Sequence, residues 1–259
     1  MKNVRLYGNS PYNIAVLHGG PGAAGEMAPV AKSLAAKFGV LEPLQTEKSV
    51  YGQIQELHSQ INEFGELPIT LIGYSWGAWL AYMFASLYPD IVKKLILVSA
   101  PAFEEKYSAD IFNERLKRLS AAEQEETLKL RELIKDPENI NLNNDFERFG
   151  ELISKADSFD ELPDRETVIT FNPEVHQLVW SQAHTLRING KIIEFAALIK
   201  CPVVAIHGTH DPHLVDGVKL PLSAALTNFR LVLLEKCGHT PWREKYVRDK
   251  FFEVLESEL

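Results

Sequence analysis

The chain is poor in cysteine, with only Cys201 and Cys237 among its 259 residues. A disulfide framework in a chain of this length would need more of them, and no Cys or His cluster has the spacing of a zinc site. Cys201 opens one predicted strand and Cys237 closes another. In neighbouring parallel strands the two sulfurs would lie about 17 Å or more apart. Because a disulfide needs Cα atoms within about 7 Å, we predict two free thiols.

The sequence also lacks an excess of positive charge. It has 27 Lys and Arg against 35 Asp and Glu, a net charge of −8. Nucleic acids and anionic membranes favour basic patches, so we expect neither as a partner. The start, MKNVRLYGNSPYN, has no apolar run of signal-peptide length, and we therefore expect a cytoplasmic protein. The sequence carries no signal of oligomeric state.

Apolar patterns of two kinds alternate along most of the chain. Short apolar runs predict buried strands, and apolar residues at helical spacing predict helices between them. The predicted strands are 14–19, 39–44, 68–73, 91–100, 201–208 and 229–238, with VRLYG (4–8) as one more, and the predicted helices are 25–38, 49–64, 76–88 and 243–257. This order predicts an α/β fold with a mostly parallel sheet and helices on both faces.

The alternation stops at Pro101. Helical patterns cover 104–135, 145–157 and 174–187, and no strand between them is convincing. Residues 101–199 carry 20 acidic and 12 basic side chains, whereas the rest of the chain carries 15 of each. We therefore predict a core of residues 1–100 and 200–259, interrupted by an all-helical insertion at 101–199 that forms a separate unit.

Residues 67–89, LPITLIGYSWGAWLAYMFASLYP, contain no Asp, Glu, Lys, Arg or His, so a membrane span is one interpretation. The segment also contains the G-x-S-x-G pattern around Ser75, between a predicted strand and a predicted helix. This pattern is typical of a nucleophile elbow, a turn so tight that only small residues such as Gly73 and Gly77 fit two positions from the serine. A serine that merely caps the helix is the alternative.

A glycine-rich stretch, HGGPG (18–22), directly follows the first long predicted strand. An acyl-transfer site needs two donors near the carbonyl oxygen. The peptide nitrogens of Trp76 and Gly20 are the candidates, because Pro21 has no N–H. His18 is expected to hold the loop by hydrogen bonds. An ordinary turn is the alternative, whereas a phosphate loop is disfavoured by the missing G-x-G-x-x-G and P-loop lysine.

Two further motifs follow the last two predicted strands. Asp211 lies in GTHDPH (208–213), and His239 lies in CGHTPWRE (237–244). With Ser75 they give the order Ser, Asp, His, each after a separate strand, as expected of a hydrolase triad. In that arrangement His239 takes the serine proton and Asp211 supports the imidazole while the serine attacks a carbonyl.

An ordinary Asp-Pro turn is the alternative for Asp211. Asp216 and Glu235 are competing acids near the same strands. The remaining histidines of the loop could line the site or bind a metal; they are His207, His210 and His213. Their spacing matches no known ligand pattern, so we expect no metal and no cofactor.

The motifs HGGPG, GYSWG, GTHDP and CGHTPW resemble, in order and context, those of the α/β-hydrolase superfamily. The resemblance covers about 1–100 and 200–259, and it implies that 101–199 is the helical cap that shapes the substrate pocket. HGGPG together with Ser-Trp-Gly is similar to the prolyl aminopeptidase branch. That similarity implies release of N-terminal residues from peptides, with acids of the cap binding the free amine.

Three hypotheses remain. The first is a cofactor-free serine hydrolase of ester, thioester or amide bonds in a small molecule, and the second is an aminopeptidase that acts on short peptides. The third is a non-catalytic ligand-binding protein on the same scaffold. The resemblance argues against epoxide hydrolases and dehalogenases, which need Asp where this chain has Ser75. The motifs before and after 67–89 also argue against a membrane span there.

Overall fold

The fold centres on a seven-stranded sheet in a computed structural model that describes residues 3–136, 138–163 and 168–259. The strands are β1 (Val4–Tyr7), β2 (Tyr12–Leu17), β3 (Ala23–Ala24), β4 (Gly39–Pro43), β5 (Ile69–Tyr74), β6 (Val92–Val98), β7 (Thr170–Phe171), β8 (Val203–Gly208) and β9 (Phe229–Leu234). Their order in the main sheet is β1-β4-β2-β5-β6-β8-β9. Only β1 pairs antiparallel in it, so the mostly parallel sheet is confirmed.

Helices cover both faces of this sheet. They are α1 (Ala28–Leu34), α2 (Val50–Phe64), α3 (Trp76–Leu87), α4 (Ile111–Lys117), α5 (Ala121–Leu133), α6 (Leu142–Asp157), α7 (Pro173–Ile188), α8 (Lys191–Glu194), α9 (Asp216–Ala225) and α10 (Arg248–Ser257). Short 3₁₀ turns span Glu105–Tyr107, Phe195–Leu198 and Pro241–Arg243.

Successive residues of the central strands enter two different apolar clusters. In β2, Ala15 and Leu17 pack with α2 and α3, whereas Ile14 and Val16 pack with α1 and α10. Side chains of a strand alternate between the two faces of the sheet, and here both faces are covered. The strands therefore appear in the sequence as continuous apolar runs rather than as alternating patterns.

The uncharged segment 67–89 forms β5 and α3. Every residue of β5 is buried, and so is every residue of α3 except the last. Their apolar character thus comes from the interior of a sheet and the helix packed on it. Among the helices of the described residues, none has the length and hydropathy needed to cross a bilayer.

The chain leaves the main sheet after β6 and returns at β8. The described part of the insertion consists of helices and their connecting segments, with one two-residue strand, β7, which pairs antiparallel with β3 beside the glycine-rich loop. The predicted helix 104–135 is divided into a 3₁₀ turn, α4 and α5. The division falls at Ser120, which forms a reciprocal capping box with Glu123 and so begins a new helix.

Three other details differ from the sequence-based expectations. α1 is shorter than predicted, with Pro29 in its first turn, and α10 begins at Arg248 because residues 241–243 form a 3₁₀ turn. α9 was not predicted, and Pro221 lies inside it. Cys201 and Cys237 are both free, as predicted.

Substitution by alanine should have opposite effects on stability at Gly73, near the end of β5, and at Gly150, within α6. At Gly73 an added Cβ would lie 2.2 Å from the Gly77 carbonyl oxygen, whereas at Gly150, within α6, it would meet nothing within 4 Å. We expect Gly73→Ala to lower the free energy of unfolding by about 1–3 kcal/mol or more, because backbone must shift. Gly150→Ala should raise it by roughly 0.5–1 kcal/mol. Urea denaturation measures both, and equal effects would contradict this view of the turn.

Candidate active site

Ser75 lies at the turn between β5 and α3 with φ 50° and ψ −118°. A non-glycine residue rarely adopts a positive φ, so this backbone is strained. An added Cβ at Gly77 would lie 2.3 Å from the Leu17 carbonyl oxygen, so the turn presses directly on β2. The Ser75 side chain does not cap α3, which removes the helix-cap interpretation. The geometry is that of a nucleophile elbow.

The structure brings Ser75, Asp211 and His239 together from the ends of three parallel strands. His239 Nε2 lies 3.1 Å from Ser75 Oγ, and His239 Nδ1 lies 2.7 Å from Asp211 Oδ2. The other Asp211 oxygen accepts a 2.9 Å hydrogen bond from the His213 N–H. In this arrangement Nδ1 donates its proton to the carboxylate, and Nε2 is free to accept one from the serine hydroxyl.

Electrostatics make His239 a stronger base and keep Asp211 ionised. Burial alone would lower the pKa of His239, but the Asp211 carboxylate outweighs burial and raises that pKa above 6.5. Burial would likewise raise the pKa of Asp211, but His239 and His207 hold it below its ordinary value. Asp211 is therefore ionised at neutral pH, and its charge is directed at the imidazole.

The glycine-rich loop carries the second candidate donor, the Gly20 N–H. Gly20 has φ 104°, and an added Cβ would lie 2.9 Å from the peptide nitrogens of Gly22 and Ala23, so the loop requires glycine there. Trp76 is the first residue of α3. Within the described residues, the N–H groups of Gly20 and Trp76 have no protein acceptor. Both are thus free to donate to a bound oxyanion.

His18 holds the glycine-rich loop by hydrogen bonds, as the sequence suggested. Its Nδ1 donates to the Gly19 carbonyl oxygen over 2.9 Å, and its Nε2 accepts from the Gln45 N–H over 3.3 Å. Burial lowers the pKa of His18 to about 4, so the ring is neutral at pH 7. A neutral imidazole with one donor and one acceptor satisfies both contacts.

Glu26 is a part of the site that the sequence did not indicate. Its Oε2 accepts a 3.0 Å hydrogen bond from the Gly19 N–H, on the same loop. Burial raises the pKa of Glu26 to about 7. The sequence placed Glu26 on a predicted helix, where an acid is usually solvated. Glu26 can reach the Gly19 N–H only because the chain folds back after the glycines.

Residues of the insertion also reach this site. The Arg115 guanidinium binds both carboxylate oxygens of Asp157, with distances of 2.6 and 2.7 Å, and lies 3.4 Å from His213 Nε2. The His239 N–H donates to the Asp157 carbonyl oxygen over 2.9 Å. Residues of α4 and α6 therefore contact the loops that carry the candidate acid and base.

Three buried side chains, Asp211, His213 and His239, offer donor atoms within 4.8 Å of one another in the described part of the chain. Asp211 and His239 are already bonded to each other, and the Arg115 cation faces His213. A positive charge at that distance disfavours a metal ion there. His207 is engaged separately, because its Nε2 donates to the His213 carbonyl oxygen over 2.7 Å.

Comparison with known proteins identifies the class. Residues 50–245 match the family model described as alpha/beta hydrolase fold. The chain therefore belongs to the α/β-hydrolase fold family. Nothing in the comparisons singles out the prolyl aminopeptidase branch, and comparison with curated protein sequences gives no significant match.

Solved structures share the fold at low sequence identity. VinJ has a TM-score of 0.68 and 19% identity, with coverage of 98% of this chain and 93% of that one. A putative lipase from Acinetobacter baumannii AYE has a TM-score of 0.62 and 19% identity, with coverage of 98% and 88%. The Paleococcus ferrophilus monoacylglycerol lipase has a TM-score of 0.61 and 16% identity, with coverage of 98% and 96%. At these identities the likeness establishes the fold alone.

The raised pKa of Glu26 predicts a pH-dependent stability. The folded protein holds this proton between pH 4.5 and about 7, where the unfolded chain has released it, so the free energy of unfolding falls as pH rises across that range. The loss amounts to about 3 kcal/mol. Glu26→Gln keeps an oxygen acceptor for Gly19 and removes the titration. The difference in melting temperature, variant minus wild type, should therefore be larger at pH 8 than at pH 5.

The exposed Glu63 provides a matched Glu→Gln control. Differential scanning calorimetry at the two pH values gives the comparison. If the melting temperature of Glu26→Gln differs from that of the wild type by the same amount at both pH values, the assignment of this titration to Glu26 is wrong.

Proposed function

We propose that the protein is a serine hydrolase that cleaves an ester, thioester or amide bond of a small molecule, with Ser75 as the nucleophile. The observation that carries the proposal is the strained elbow together with the 3.1 Å contact from Ser75 Oγ to His239 Nε2 and the 2.7 Å contact from His239 Nδ1 to Asp211 Oδ2. Two proteins of similar fold are named lipases. Their names agree with the proposal without specifying a substrate.

The proposed mechanism follows from these positions. His239 removes the Ser75 proton as Oγ attacks the substrate carbonyl, and the resulting oxyanion accepts hydrogen bonds from the Gly20 and Trp76 N–H groups. The imidazolium, stabilised by Asp211, gives its proton to the leaving group, and the acyl-enzyme remains. Water then attacks the acyl group with His239 as base, which releases the acid and restores Ser75.

We further propose that residues 101–199 act as a cap over this site. The Asn172 N–H donates to the Gly22 carbonyl oxygen over 2.9 Å, and His176 Nδ1 donates to the Pro21 carbonyl oxygen over 3.2 Å. At the other end, the Asp157 carbonyl oxygen accepts from the His239 N–H. The insertion thus contacts both the oxyanion loop and the loop that carries the base.

The aminopeptidase hypothesis would need acids of the cap to be free for a substrate amine. Asp157, which contacts the His239 loop, is bound by Arg115 through both oxygens. The stretch EPLQTEKSVYGQ (42–53) also lacks the Asp-Gln-Arg-Gly run usual in the prolyl aminopeptidase branch. We therefore favour hydrolysis of small-molecule esters or amides, with peptidase activity as an outcome for the assay to decide.

A fluorophosphonate probe tests the nucleophile. We expect the wild type to be labelled at Ser75, as located by mass spectrometry, and Ser75→Ala to remain unlabelled. Ser59→Ala changes an exposed helical serine and should label like the wild type. Absence of labelling in the wild type, or labelling that survives in Ser75→Ala, would remove the hydrolase proposal and favour a ligand-binding protein. Rates on p-nitrophenyl esters and aminoacyl anilides then distinguish an esterase from an aminopeptidase.

The pH profile tests His239 and Asp211. Hydrolysis needs the neutral imidazole, so kcat/KM should fall about tenfold per pH unit below a midpoint that lies above 6.5. Asp211→Asn removes the charge that raises this pKa. Its midpoint should move to lower pH, and its rate should fall by roughly 10³-fold or more. An unchanged midpoint in Asp211→Asn would contradict the assignment of the acid.

A further inference from the structure

The loop that carries His239 ends at a buried acid, Glu244, which is 1% exposed. Its carboxylate accepts three backbone hydrogen bonds. Oε1 accepts from the Gly238 N–H over 2.8 Å and from the Phe159 N–H over 2.9 Å, and Oε2 accepts from the Asp160 N–H over 2.9 Å. Within the described residues, no Lys, Arg or His forms an ion pair with it. The peptide groups alone compensate its burial.

These three bonds join two different parts of the fold. Gly238 directly precedes His239, whereas Phe159 and Asp160 belong to the insertion just after α6. Glu244 therefore connects the base-carrying loop to the insertion through a single side chain. Because each donor is a peptide N–H, the contact fixes the backbone of both segments rather than only their side chains.

The backbone around Glu244 continues the same attachment. Glu244 forms an antiparallel bridge with Glu161. The Leu162 N–H donates to the Arg243 carbonyl oxygen over 2.7 Å, and the Lys245 N–H donates to the Asp160 carbonyl oxygen over 3.0 Å. The segment 157–162 thus lies along the His239 loop like an added strand.

Gly238 lies so close to the insertion that no side chain would fit at its position. An added Cβ at Gly238 would lie 2.1 Å from the Asp157 carbonyl oxygen and 2.5 Å from Glu244 Oε1. The His239 N–H donates to that same Asp157 oxygen over 2.9 Å. The position of the imidazole is therefore set from the insertion side as well as by its bonds to Asp211 and Ser75.

We propose that Glu244 is a positioning residue for His239, which fastens the base-carrying loop to residues 159–160 of the insertion and so makes alignment of the imidazole depend on docking of the insertion. The proposal rests on the proposed hydrolase function, in which Ser75 and His239 act together. Glu244 touches no reacting atom. Its effect is on where His239 Nε2 lies relative to Ser75 Oγ.

Glu244→Gln is the sharpest variant, because it keeps the shape of the side chain. One of its two terminal atoms becomes an NH₂ group, which must face either Asp160 N–H or the pair from Gly238 and Phe159, donor against donor. Glu244→Ala removes all three bonds. The control is Glu235→Gln, the same change at an exposed acid just after β9.

Active sites are titrated with the fluorophosphonate probe so that rates refer to folded, reactive molecules. We expect Glu244→Gln to lower kcat per titrated site at least about tenfold with KM within about twofold, since a misplacement near 1 Å can cost up to about 10²-fold. The midpoint of the acid limb of kcat/KM should move to lower pH, because a displaced imidazole loses part of its interaction with Asp211. Glu235→Gln should match the wild type in all three quantities.

A purely structural role gives a different result. If Glu244→Gln and Glu244→Ala lower the melting temperature but leave kcat per titrated site and the acid limb unchanged, the positioning proposal is overturned. NMR titration of the His239 ring, identified by its absence in His239→Ala, reads the positioning without turnover. Asp160→Asn removes a negative charge from the same segment but keeps all three bonds to Glu244. A His239 pKa that falls clearly further in Glu244→Gln than in Asp160→Asn supports the proposal even if the wild type fails to hydrolyse any ester. An equal fall, or none, refutes it.

Discussion

The tight turn between β5 and α3 is the constraint on which the rest of the site depends. Carbonyl oxygens lie where side chains at Gly73 and Gly77 would begin, at 2.2 and 2.3 Å from the added Cβ atoms. A side chain at Gly73 would clash with the turn itself, and one at Gly77 would clash with the end of β2. The turn also forces Ser75 into a positive φ, so that its hydroxyl leaves the strand at the edge where β8 and β9 also end. These two close backbone contacts thus shape the turn that carries the candidate nucleophile.

The sequence could predict these features because each is local or follows from strand order. Ser75, Asp211 and His239 each come directly after an apolar run, and parallel strands bring their carboxyl ends to one edge. The burial of 67–89 was predictable for the same reason. In contrast, the division of 104–135 depended on a capping box at Ser120, a short signal inside a helical pattern that otherwise continues. α9 was hidden by Pro221, which a helix interior seldom contains.

Side chains that act across long separations could not be predicted in this way. Glu26 and Glu244 have the sequence surroundings of ordinary acids near a helix or a turn. Each instead accepts backbone N–H groups of a functional loop, Glu26 from Gly19 and Glu244 from Gly238. Their partners are set by how the loops return towards the sheet, and no periodicity records that return.

The insertion consequently has two kinds of residues. Those at 157–162 and at 170–172 are bonded to the His239 loop and to the glycine-rich loop, through peptide groups. Helix α7 packs on the core, with Val175 and Val179 in the same apolar cluster as α2 and α3, whereas α5 packs mainly on α6. Changes on the exposed face of α5 can therefore leave both anchors in place. Changes at the anchors act instead on the positions of the His239 loop and the glycine-rich loop, because the same backbone hydrogen bonds join each of these loops to the insertion.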